Sequence, residues 1–259
     1  MPAPPQTVST TSLARPRPDP GAEVEALARR YLASRGGLIR VLTRTGTGVE
    51  DFAARLPART RARLDAASTL ALRAAYAAAA GSHVPRRGGE AAHRAAAAAL
   101  GAMGGLGGLP TALAELPVTT TMVLRSLQEI ARDHGEDPAQ DTTRIACLQV
   151  LGAGGPLAED DGTDFAFLGA RLTLTGPALQ GLIAGIAPRF AAALVQRLAA
   201  KAVPALGAAA GATVNLAFMR YYQEMAHVHF GLRRLARQGA PEAAALFRAE
   251  VRALRAIRA

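Results

Sequence analysis

The chain has 259 residues and a formal net charge of +10 at pH 7; half of it is apolar, chiefly Ala, Leu and Val, with aromatics at 4% and no Trp. Such small side chains exclude a layered β-sandwich and require closely packed helices, so the expected fold is all-α, a single multi-helix, bundle-like domain. The lone cysteine, Cys147, excludes an internal disulfide framework and fits a reducing compartment.

The positive charge is carried by Arg, with Lys201 the one lysine. The arginines are spread along a chain rich in Ala, Gly and Pro rather than gathered in one block. No nucleic-acid recognition motif accompanies them, so specific nucleic-acid binding is not expected.

Residues 1–20 hold six prolines with Ser, Thr and two arginines, and lack the charged start and apolar run of a secretory signal. They read as a disordered tail. Helical periodicity begins near Ala22 with Val24, Leu27, Ala28 and Tyr31, and Gly36-Gly37 should end it. A short apolar piece, Leu38 to Leu42, precedes a Thr-Gly-Thr-Gly turn. Pro57 is expected to open a long Ala/Arg helix to about Gly81, followed by a loop over 82–89. Residues 95–114 form a run of 20 uncharged residues, matching the ~20 needed to cross a bilayer. Eight Ala, five Gly and one Pro make that run weakly hydrophobic and poor in helix propensity. A buried or interfacial hairpin is therefore expected.

Pro117 should start the next helix, Val118 to about Arg132, closed by His134-Gly135-Glu136-Asp137-Pro138 with Gly as the cap. Asp141 or Thr142 should cap a helix through Ile145, Leu148, Val150 and Leu151. An acidic loop follows, with Glu159, Asp160 and Asp161, and Arg171 to Thr175 alternates in strand fashion. The remainder is helical, with breaks expected at Gly176-Pro177, Pro188 and Pro204. Ala202 to Met219 gives 18 uncharged residues, in which Gly207, Gly211 and Asn215 are the expected helix-packing positions. At ~1.5 Å per residue the run rises about 27 Å, just short of a ~30 Å hydrocarbon slab. A core helix is the favoured reading and bilayer contact the second. The helix then turns polar from Arg220 to Arg234. Pro241 to Ala259 places Phe247, Val251 and Leu254 in one stripe beside Arg248, Arg252 and Arg255, a basic amphipathic helix. The organisation expected is a tail over 1–20, a helical domain over 21–238 and a basic helix over 239–259.

No segment names a reaction, and no cofactor or metal is implied. Arg125, Glu129 and Arg132 share a helix face, a spacing that suits either a cleft or a solvated ion-pair ladder. His134, Glu136 and Asp137 crowd one turn, where imidazole and carboxylates suit acid–base or metal chemistry, and equally a helix end. Gln223, Glu224, His229 and Arg233 follow the apolar run, and Glu224-x-x-His227 has the spacing of di-iron bundles, but its second half is missing. Cys147 lies among Ile145, Ala146 and Leu148, where a buried inert thiol is expected. His93, on an Ala-rich helix, suggests nothing specific. The candidate polar cluster is thus Arg125, Glu129, His134, Glu136, Asp137, Gln223, Glu224, His229 and Arg233.

Two segments resemble the EcsC protein family. One is Thr119-Thr-Thr-Met-Val-Leu-Arg-Ser-Leu-Gln-Glu-Ile-Ala-Arg-Asp-His-Gly-Glu-Asp-Pro138 with Thr143-Arg-Ile-Ala-Cys-Leu148. The other runs from Arg189-Phe190 through Ala202–Ala208, Gly211-Ala212, Asn215, Phe218-Met219 and His229-Phe230 to Arg233-Arg234-Leu235. The likeness spans roughly residues 36 to 238. The chain departs from the family pattern at Tyr221, where His is expected, and at His227-Val228, where Arg-Gly is typical. The family is named for the third gene of a bacterial operon encoding an ABC transporter and has no established activity. The resemblance therefore implies an accessory role, with the membrane surface or ABC-transporter subunits as partners. Location would be cytoplasmic or at the inner membrane face, with Arg233, Arg234, Arg248 and Arg252 toward anionic lipid. The reading from a different class is a hydrolase or metal-dependent enzyme built on the Glu/His/Asp cluster.

Overall fold

The computed structural model describes residues 19–44, 55–80, 89–106, 108–152, 176–201 and 207–258. Among the described residues there are eight helices and no strand: α1 Pro20–Arg44, α2 Ala58–Ala80, α3 Gly89–Leu106, α4 Gly108–Asp133, α5 Asp141–Leu151, α6 Gly176–Lys201, α7 Gly207–Arg237 and α8 Ala243–Arg258. The all-α expectation holds. The tail over 1–18, the acidic loop, the strand-like Arg171–Thr175 and Pro204 lie outside the described residues.

Several helix ends differ from those the sequence suggested. α1 runs through Gly36 and Gly37; each glycine costs about 1 kcal/mol relative to Ala, which a long helix absorbs. Pro117 lies inside α4 rather than at its start, and Pro188 lies inside α6. An internal proline costs roughly 3 kcal/mol. Buried side chains next to each one (Leu116 and Thr119 in α4, Ala187 and Phe190 in α6) keep the helix continuous. The N-cap of α5 is Gln140, not Asp141 or Thr142, and its side chain makes no capping bond. Asp141 instead sits in the first turn, where its charge suits the helix dipole.

α7 is the axis of the bundle. It packs on α1, α3, α4, α5, α6 and α8, and its Val214, Met219, Met225, Ala226, Val228 and Phe230 are almost wholly buried. α1 crosses it antiparallel, Leu27 resting on Gly231 and Glu23 paired with Arg234. α8 closes over α1 with Phe247 edge-on to Tyr31, ring centroids 5.7 Å apart.

α3 is attached differently. It contributes no described residue to the continuous core of large side chains that joins the other helices. Instead Ala97, Gly101 and Gly104 form its buried stripe, spaced for one helix face. Gly101 lies so close to α7 that a Cβ there would collide with the Gly211 carbonyl oxygen and come within 2.6 Å of Asn215 Cγ. Gly211 is buried, Asn215 is 3% exposed, and Gly207 is the first residue of α7. The two helices run antiparallel, since Gly101 meets Gly211 while Arg94 meets Gln223 and Glu90 meets His227. Each helix has one uncharged half and one polar half, and the antiparallel arrangement matches like with like.

We expect Gly101→Ala to lower stability by about 1–3 kcal/mol, as overpacking does. Gly181→Ala, on α6 with nothing among the described residues within 4 Å of its added Cβ, should be neutral or should stabilise by up to about 1 kcal/mol through helix propensity. Urea unfolding followed by circular dichroism measures both.

Candidate functional site

The turn after α4 is shaped by Gly135, whose φ of +79° is open to glycine at little cost. Gly135 N–H donates to Arg132 O (2.9 Å) and Glu136 N–H to Ala131 O (3.0 Å), the Schellman arrangement. This reversal carries Glu136 inward while leaving Asp137 exposed. Asp137 Oδ1 only accepts the Ala139 N–H, at 2.9 Å.

Glu136 is clamped on several sides. Arg233 of α7 donates Nε–H to Oε1 (2.7 Å) and Nη2–H to Oε2 (3.0 Å). Arg237 also donates to Oε1, and Thr143 of α5 donates to Oε2 at 3.1 Å. Arg237 further binds the His134 carbonyl at 2.8 Å. Burial alone would raise this carboxyl, but the Arg233 hydrogen bonds and charge, with those of Arg237, hold it below the usual carboxylate range. The clamp therefore ties α4, α5 and the end of α7 together.

A second chain of contacts runs to α3. His134 Nε2 lies 3.1 Å from His227 Nδ1, and His227 Nε2 lies 2.9 Å from Glu90 Oε1. Two neutral imidazoles, each carrying its hydrogen on Nε2, satisfy both contacts in one direction. His134 is held down to about 4 by burial first, then by the repulsion a second proton on the His227–His134 pair would meet and by the Arg30 charge. Burial raises Glu90, but its hydrogen bond to His227, with the charges of Arg94 and Arg30, outweighs that and leaves it below the ordinary value. Beside this, Arg94 donates to Gln223 Oε1 at 3.0 Å. Gln223 Nε2 donates to Ser126 Oγ (2.9 Å) and the Glu90 carbonyl (3.1 Å).

The nine residues of the sequence-predicted cluster do not form one site. His134, Glu136 and Arg233 meet at the turn. Gln223 lies in the α3 contact. Glu129 faces His93 Nε2 at 3.3 Å, a distance that suits an ion pair, although His93 Nε2 has no hydrogen-bond geometry. Glu224 turns to Arg30 of α1. His229 is buried, its Nε2 without a hydrogen-bond partner, and burial pushes it down to about 3, with Arg233 adding to the fall. Arg125 is exposed on α4. Arg234, expected at lipid, instead pairs with Glu23. Sequence reasoning missed Glu90, Arg94, Ser126 and Arg237, and gave His93 no role. Their signal was a charged triplet, Glu90-x-x-His93-Arg94, at the mouth of an uncharged helix.

Chemically, this is a lock. Both Glu136 oxygens accept hydrogen bonds, and Ser126 is bonded to an amide rather than to a base. The Cys147 thiol is fully buried, and burial pushes its pKa upward, far from the thiolate a nucleophile needs. Glu224 and His227 diverge to α1 and α3. No three His, Cys, Asp or Glu side chains among the described residues are placed to hold a metal ion.

Residues 69–163 match the EcsC protein family. That segment is narrower than the likeness read from the sequence; it includes α3, α4, α5 and the Glu136 turn, but not α7. No curated protein matches the chain, and no solved structure does.

His134 and His229 have folded values below the ordinary 6.5. The unfolded chain therefore binds protons first as pH falls below about 6.5, and stability drops from there toward about 4. The Glu136 contribution is lost only below the carboxylate range. His229→Leu should reduce the slope of stability against pH in the 6.5-to-4 window by roughly half, leaving the His134 share. Urea midpoints measured across that window test it; an unchanged slope would contradict the assignment.

Proposed function

We propose that this chain, with its EcsC-family segment at residues 69–163, is a non-enzymatic accessory protein that docks on an apolar helix of an integral membrane partner. The observation that carries the proposal is the outer face of α6. Residues 178–195 have a mean hydropathy of 1.5 with 39% of the window buried, an unusual exposure for an apolar helix.

The exposed positions include Ala178, Gly181, Ala184, Gly185 and Ala192. Among the described residues, nothing approaches within 4 Å of a Cβ placed on Gly181 or Gly185. Small residues at i and i+4 let a second helix approach closely, whereas Ala and Gly give little attraction to acyl chains. A transporter subunit, the company implied by the family's name, supplies such a helix. Arg248 and Arg252 of α8 remain available for anionic headgroups at about 1 kcal/mol each. The hydrolase reading draws less support, because Glu136 and Glu224 are engaged by Arg233, Arg237 and Arg30, and Glu129 faces His93 away from them.

Cell fractionation tests this. Wild-type protein should sediment with membranes at low salt and largely persist there at high salt, because the contact is apolar. Gly181→Gln with Gly185→Glu should release it to the soluble fraction while leaving its thermal midpoint within a few degrees. Wild-type protein found wholly soluble at low salt would overturn the proposal.

A further inference from the structure

A cleft of about 640 Å3 opens among α1, α3 and α7, within the size range of small-molecule sites. Its lining is apolar at Ala33, Leu216 and Ala217, and cationic at Arg30, Arg94 and Arg220, against the single carboxylate of Glu224.

The three guanidiniums are not equivalent. Arg30 is spent on Glu224. Arg94 is held by Glu90 (3.2 Å) and Gln223 (3.0 Å), which fixes its position while leaving its other donors unassigned. Arg220 is exposed and has no ion pair or hydrogen bond among the described residues. With Arg30 paired to Glu224 and Arg94 to Glu90, Arg220 leaves an excess of one positive charge in a concave, half-apolar space. Guanidinium presents a planar fork of donors that matches the oxygens of a phosphate, and more than one fork favours a dianion over a single carboxylate.

We propose that this cleft binds a phosphate-headed amphiphile, with the phosphate monoester on Arg94 and Arg220 and a short alkyl group against Leu216 and Ala217. The same headgroup occurs on a free small phosphate and on a lipid. The cleft lies on different helices from the α6 face, so the site stands whether or not membrane docking does.

Isothermal titration of the full chain with n-hexyl phosphate and with inorganic phosphate, without membranes, tests the proposal. Hexyl phosphate should bind more tightly than inorganic phosphate, by about tenfold or more, from apolar burial. Arg220→Ala should weaken hexyl phosphate binding by about tenfold. Ala217→Phe should weaken it by filling the cleft, with an unchanged helical spectrum confirming the fold. Arg63→Ala, exposed on α2, should leave it unchanged. Phosphatidate vesicles that compete with hexyl phosphate through Arg220 would identify a lipid as the source; vesicles that fail to compete would identify a free phosphate. Binding that survives Arg220→Ala intact, an equal loss in Arg63→Ala, or no binding of either probe would overturn the proposal.

Discussion

The attachment of α3 to α7 is the contact on which the rest of the arrangement depends. Most helices here are held by large side chains in a shared core, where burial of each contributes roughly 1.5–3 kcal/mol. α3 offers Ala and Gly on its buried face, and so little apolar area. Its hold rests on two other features: the backbone approach at Gly101 and Gly211, and the polar contacts at its other end. Neither suffices alone. Close approach without the polar end would leave Glu90 and Arg94 beside α7 with only each other as partners. The polar end without close approach would be an exposed ion-pair set worth about 0–1 kcal/mol.

This gives the polar residues a structural role. Glu90, Arg94, Gln223, Ser126, His227 and His134 link α3, α4 and α7. Glu136, Arg233, Arg237 and Thr143 extend the connection to α5. Buried polar groups are stable when fully paired and costly when one partner is removed. A network of this kind fixes one arrangement of helices more firmly than it favours chemistry. The neutral, buried His229 fits the same pattern, because it adds acid sensitivity without adding a reactive group. What remains for partners lies outside the lock, on the open face of α6 and in the α1, α3, α7 cleft.

Part of this was legible in the sequence. The all-α fold followed from composition, and the turn at 134–138 from a glycine that had to adopt positive φ. Gly211 and Asn215 marked the packing half of α7, and the buried place of Cys147 followed from its neighbours. The site was less legible. Glu129, Glu224 and His229 belong to the same two helices as the Glu136 clamp, but helical rotation sends them to His93, Arg30 and the core. Spacing along one helix shows which residues share a face, not which helix that face meets. Glu90 and Arg94 escaped notice because an Ala-rich helix has no large apolar periodicity to mark its inner side. Pro117 reads as a helix start and Pro188 as a break because a proline's local cost is visible in sequence, whereas the buried neighbours that offset it are not.

The most direct measurement is native-state hydrogen exchange on the full chain. The amides of α3 around Ala97–Gly104 and those of α7 around Val214–Phe230 should open together, as one cooperative unit at the free energy of global unfolding. Fast exchange throughout α3 while α7 stays protected would show that α3 is held by neither contact, and would contradict the account.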